Sequence, residues 1–237
     1  MNKLSKRSLI IIIAILSTAI ILMLALFSLK KNSPSLLDNL TGSSNPTASE
    51  YSTSKPTEKS PIVVIDAGHG GWEPGAGNGS IDEKDITLAI SLEVEKLLKE
   101  KNIDYYMIRN DDTYISLEDR VKIANEKSCK LFVSIHNNSF TDSSQSGILT
   151  AYNPYSPNGK KFAEIMQSKI SNIGMRNRNI MQRPNLYVLR HTEMPAILLE
   201  IGFISNKKDL KLLTDASFQQ KCAQQIVLGI EEIITHE

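Results

Sequence analysis

Residues 62–83 read "IVVIDAGHGGWEPGAGNGSIDE". An apolar run ending at Asp66 gives way to a segment holding six of the chain's twelve glycines, from Gly68 to Gly79. A short apolar run bounded by turn residues predicts a buried strand. Residues 84–101, "KDITLAISLEVEKLLKEK", then place Ile86, Ile90, Val94 and Leu97 at the spacing of one helix face. Strand, glycine loop and helix make the opening unit of an α/β layer structure.

The alternation continues downstream. "IDYYMIR" (103–109), "LFVSIH" (131–136), "GILTAYN" (147–153), "LYVL" (186–189) and "AILLEIG" (196–202) read as further strands. Ser116 followed by Asp119 predicts a capped helix start, continuing through Ile123. Residues 159–173 predict a helix with Phe162, Ile165, Met166 and Ile170 facing inward, and Phe218 to Ile234 predict another. The expected fold class is α/β: a twisted, mostly parallel sheet of about six strands flanked by helices, in a single domain over residues 61–237.

Upstream the texture differs. Leu9 to Leu29 is an uncharged apolar stretch, preceded by Lys3, Lys6 and Arg7 in a basic segment, residues 1–8. As a helix it would extend about 31 Å, enough to cross a bilayer core. The flanking positive charges predict a cytoplasmic N-terminus. An uncleaved anchor is the expectation, with a cleaved signal peptide as the alternative. Residues 30–60 are dominated by Ser, Thr, Asn, Pro and Lys and are expected to be a disordered linker, because they cannot bury enough surface to offset ordering. The domain is then placed on the outer side of the membrane, or secreted if the anchor is cut.

The formal net charge is +1, with no basic block, which argues against a nucleic-acid partner. Two cysteines, Cys129 and Cys222, are too few for a disulfide scaffold or a cysteine-based zinc finger, and their neighbours are apolar. Both are expected to be small buried hydrophobes.

The α/β architecture gives the polar residues a possible shared location. Ligand sites in open α/β sheets gather at the carboxyl ends of strands. His69 follows the first strand, His136 ends the third, and Glu200 interrupts "PAILLEIGF". Each has an ordinary reading. A single histidine after a strand is commonly a hydrogen-bonded loop residue, and "HNNS" after His136 reads equally as a turn. Glu83 could be an acidic group on the first turn of the following helix. Glu200 is the least ordinary, since a carboxylate among Leu198, Leu199, Ile201 and Phe203 is costly without a partner or a task. His191 and His236 are assigned no role. The glycine loop is not a phosphate loop, because no Gly-Lys-Ser/Thr follows, and it is not the dinucleotide fingerprint, because Glu73 stands where a third glycine is required. A plain hairpin remains open. A metal site would explain the composition, since the backbone must swing around a pocket and return a carboxylate to it.

"VVIDAGHGGWEPGA", "EKDITLAI", "VSIHNNS" and "PAILLEIGFISN", in that order, resemble the motifs of the zinc-dependent N-acetylmuramoyl-L-alanine amidases, amidase type 3. The resemblance covers the chain from about Ile62 to the C-terminal helix. It implies one Zn²⁺ per chain held by His69, Glu83 and His136, with Glu200 as the catalytic glutamate. It also implies hydrolysis of the amide between N-acetylmuramic acid and L-alanine, on a glycan strand bearing stem peptides. Two positions depart from the family pattern: Ala67 stands where Pro is usual, and Asn137 where Ala is frequent. Some members carry a helical insertion over the zinc; the elements between His136 and Glu200 leave no room for a large one. The short anchored layout resembles the sporulation members that act on spore cortex, and a protein partner for activation or localisation is compatible with it. A zinc wall peptidase and a non-catalytic wall-binding adaptor are the alternatives.

Overall fold

The computed structural model describes residues 62–235. The basic N-terminus, the apolar span at 9–29, the linker at 30–60 and His236 lie outside the described residues. Among the described residues no helix is long and apolar enough to cross a membrane.

Six strands form one sheet: β1 (Val63–Ala67), β4 (Tyr105–Met107), β5 (Leu131–Asn138), β6 (Ile148–Tyr152), β7 (Asn177–Gln182) and β8 (Ala196–Phe203). Their order is β4-β1-β5-β8-β6-β7. The pairings β4/β1, β1/β5, β5/β8 and β6/β7 are parallel, and β6 runs antiparallel to β8. The sheet is therefore mostly parallel, as the alternating pattern implies. A two-stranded ribbon, β2 (Gly77–Asn78) and β3 (Ile81–Asp82), closes the glycine loop.

The helices are α1 (Glu83–Glu100), α2 (Leu117–Lys127), α3 (Gly159–Ile170), α4 (Tyr187–His191), α5 (Lys207–Leu213) and α6 (Ala216–Thr235). Ile86, Ile90, Val94 and Leu98 of α1 join α3 and α6 against Ile65, Val133, Ile135 and Leu199 on one sheet face. The helix turns its stripe so that Leu98 is fully buried and Leu97 only partly. The opposite face carries Val64, Phe132, Ala196 and Leu198 under a thinner cover from α2 and α4. Alternation along each strand separates these sets. It also puts Asp66, Ser134, His136 and Glu200 on the thinly covered face.

Two elements differ from the sequence reading. The "LYVL" run is not a strand; Tyr187–His191 forms α4, with Val188 and Leu189 buried. A short apolar run does not distinguish a strand from one buried helical turn. The sixth strand is instead β7, whose sequence "NRNIMQ" is half exposed and polar, the composition of an edge strand. The predicted helix at 159–173 ends as an α-helix at Ile170 and tightens into a 3-10 turn over Ser171–Ile173.

The predicted cap at α2 is present: Ser116 Oγ accepts from the Asp119 amide at 3.1 Å. Ser116→Ala removes that acceptor at an expected cost of about 1 kcal/mol. In a domain of this size that lowers Tm by about 2–4 °C; calorimetry of the purified domain measures it, and an unchanged Tm would mean the cap contributes nothing.

Both cysteines are free and buried. Burial pushes the thiols up to about 11 for Cys129 and about 12 for Cys222. They are packing groups rather than nucleophiles.

Candidate active site

The C-terminal ends of β1, β5 and β8 open into a cleft of about 260 Å³. Its wall includes His69, Glu73, Glu83, His136 and Glu200. His69 comes from the loop after β1, Glu83 is the first residue of α1, and His136 lies near the end of β5. Residues 67 positions apart in the chain thus share one rim because the parallel strands end together.

Ligand-capable atoms of His69, Glu83 and His136 all lie within 4.8 Å of one another. His69 Nε2 is 3.2 Å from Glu83 Oε2, and His136 Nδ1 is 3.0 Å from Glu83 Oε1. The two rings meet edge to face, with centroids 4.9 Å apart. The carboxylate is fixed by the backbone: the Ala76 amide donates to Oε2 and the Asn137 amide to Oε1, each at 2.9 Å. The residue type at 137 therefore does not change what Glu83 receives. The Asn137 side chain turns away and donates to the Ile201 carbonyl at 2.5 Å.

Burial raises the cost of charging Glu83, but hydrogen bonds and charge from His136 and His69 outweigh it and hold the carboxyl far below its usual range. Burial disfavours the His136 cation, and the hydrogen bond and charge of Glu83 outweigh it to raise the imidazole pKa. A cation in place of these protons satisfies the same carboxylate. Two imidazoles and one carboxylate are a donor set suited to zinc with an open position. His69 Nδ1 is a buried atom without a hydrogen-bond partner among the described residues; the nearest acceptor carboxylate, Glu73 Oε1, is 3.6 Å away. That is beyond hydrogen-bond range but close enough to tighten when a ligand fixes the ring.

Glu200 is the register partner of His136 across the β5/β8 pairing. Its side chain lines the same cleft as the three donors. Burial pushes its pKa up to about 7; the His136 charge opposes this, Glu83 adds to it, and Arg183 opposes it. Its Oε2 is buried with no partner among the described residues. His191, assigned no role, sits in α4 with its ring 4.4 Å from that of Tyr187, outside the cleft wall.

The sequence reading does not include the groups that shape the loop. Arg109 donates to the carbonyls of Ala67 and Gly68, each at 2.8 Å. Arg120 donates to Ala67 at 2.8 Å, to His69 at 2.6 Å and to Asp66 Oδ1 at 2.5 Å. Ser134 Oγ donates to the other Asp66 oxygen at 2.7 Å. Two buried guanidiniums thereby grip three successive carbonyls and hold His69 at φ 60°. Left-handed geometry is uncommon for a residue with a Cβ and here is over-determined by its surroundings. Gly68 is required by contact: a Cβ there would lie 2.4 Å from His136 Cε1. Asp66 and Ser134 were findable as polar residues inside apolar strands; the arginines carried no such signal.

The N-acetylmuramoyl-L-alanine amidase family model matches residues 63–232. LytH of Staphylococcus aureus, described as a probable cell wall amidase, is 33% identical over 181 residues, covering 73% of this chain and 60% of LytH. The chain thus aligns with less than two thirds of that relative. The catalytic domain of CwlV, an N-acetylmuramoyl-L-alanine amidase from Bacillus (Paenibacillus) polymyxa, superposes with TM-score 0.71 at 39% identity, covering 75% of this chain and 99% of that one. The CwlD amidase of Clostridioides difficile, solved with the GerS lipoprotein, gives TM-score 0.71 at 32% identity, covering 74% and 98%. With the family's motifs in order and its fold reproduced, the chain belongs to the N-acetylmuramoyl-L-alanine amidase family, amidase type 3, and is an amidase of that class.

Proposed function

We propose that the domain is a zinc-dependent wall hydrolase that cuts the amide between the lactyl group of N-acetylmuramic acid and L-alanine of the stem peptide. The observation that carries the metal is the meeting of His69, Glu83 and His136 within 4.8 Å. These three residues would hold Zn²⁺, one per chain. When bound, zinc supplies Lewis acidity that acidifies a water and polarises a carbonyl.

The rest of the reaction falls to the protein. Glu200 Oε takes the proton of the attacking water and delivers it to the departing amine nitrogen. Burial raises the pKa of this carboxyl in the metal-free domain, and a cation held beside it would lower it. The Ala76 and Asn137 amides keep Glu83 oriented, and the Arg109 and Arg120 clamp keeps His69 in place.

The substrate is a glycan strand carrying stem peptides, which puts the work outside the cytoplasm. An anchor at residues 9–29 and a linker at 30–60 would tether the domain there; action on spore cortex rests on that layout alone. A protein partner for activation or localisation is supported by the CwlD complex with GerS. Zinc analysis of a soluble fragment starting near residue 60, with mass spectrometry of digested muropeptides, tests the reading. The expected results are about one zinc per chain, lost in His136→Ala, and free stem peptides beginning at L-alanine. Cleavage within the stem would indicate a peptidase, and intact walls a binding adaptor; either would overturn the amidase reading.

A further inference from the structure

Trp72 is the chain's single tryptophan and is 74% exposed. An exposed indole leaves a large, flat apolar face in water with one polar N–H at its edge. Its position is built, not incidental. Gly70 and Glu73 exchange backbone hydrogen bonds at 3.1 and 3.2 Å, making a tight turn with Gly71 and Trp72 at its tip. Gly71 has φ 59°, and a Cβ there would lie 2.8 Å from the Tyr114 amide nitrogen. Asp112 accepts from the Gly71 amide at 2.8 Å, and Lys84 bridges the Gly71 carbonyl and Asp112 at 2.8 and 2.7 Å. The indole lies against the Tyr114 ring with centroids 4.3 Å apart and planes at 35°. One indole face is backed by Tyr114. The turn that carries it also carries His69 and Glu73, which line the cleft.

A single flat ring stacked on Tyr114 at the tip of a rigid turn fits the apolar face of a pyranose better than a protein interface, which needs a contiguous apolar core. We propose that Trp72, backed by Tyr114, is a stacking platform for a sugar ring of the glycan strand next to the muramic acid being cut. This rests on the amidase reading for the identity of the ligand. The platform would bind the strand through rings outside the reacting amide, so it acts on KM and on preference for long strands.

The lone tryptophan gives a direct readout. Adding chitotetraose, a β-1,4-linked N-acetylglucosamine oligomer, to the full chain should quench or shift its fluorescence saturably, with or without zinc. Trp72→Ala should raise KM on glycan strands about tenfold, equivalent to about 1.4 kcal/mol, and lower the preference for strands over a single muramyl peptide by a similar factor. Trp72→Phe should restore most of that preference. No fluorescence response to chitotetraose, together with an unaltered preference in Trp72→Ala, overturns the platform. Product analysis of the unaltered chain tests the amidase reading separately, so a chain that binds chitotetraose but releases no stem peptide fails that reading and keeps the platform.

Discussion

Glu200→Gln is expected to lower the rate of stem-peptide release by about 10²–10⁴-fold while leaving zinc stoichiometry unchanged. Gln keeps the volume and the neighbours of the side chain but cannot accept and return a proton. Glu200 is not among the three residues whose donor atoms meet, so metal content separates loss of proton transfer from loss of the site. Release of soluble peptide from purified wall, measured beside zinc content, decides it; a variant retaining more than about a tenth of the rate would remove Glu200 from proton transfer.

The metal-free domain gives a second reading of the same residue. The folded pKa of Glu200 is about 7, above its ordinary value of 4.5, because burial disfavours the anion. The native state therefore holds this proton more tightly than the unfolded chain, and the stability tied to it is complete below pH 4.5 and lost as pH rises through 7. Glu200→Gln should stabilise the metal-free domain at pH 8 relative to its effect at pH 4.5. An equal effect at both pH values would contradict the burial argument.

Arg120→Met carries the largest expected effect on stability. Arg120 and Asp66 are almost wholly buried, with side chains 3% and 1% exposed. Removing one partner of a buried ion pair leaves an uncompensated charge and costs about 3–5 kcal/mol. Here it also strips donors from the carbonyls of Ile115, Ala67 and His69. The left-handed His69 then loses its restraint, so zinc affinity should fall along with stability. Urea unfolding of the metal-free variant measures the first effect and competition with a chelator the second. A loss below about 1 kcal/mol would show that Asp66 is satisfied without the guanidinium. Replacing both partners, as in Asp66→Leu with Arg120→Met, should recover part of the stability, because no lone charge remains.

The same residues show where sequence reading succeeds and where it stops. Periodicity of two and 3.6 is a local property, so β1, α1, β5, β8 and α6 were legible from their apolar spacing. Edge strand β7 was not, because its stabilisation comes from pairing with β6 and leaves no hydrophobic pattern of its own. Helix α4 was misread because five residues hold too little periodicity to separate one turn from a strand.

By itself the sequence determined the chemistry available: His69, His136 and Glu200 at or near strand ends, Glu83 at the start of the helix after the glycine loop, and glycines free to take left-handed geometry. Only the tertiary structure decided which atoms meet. The β5/β8 register sets Glu200 beside His136, backbone amides aim Glu83, and the buried arginines fix His69. Register and burial depend on contacts between residues far apart in the chain, and composition and spacing carry no term for them.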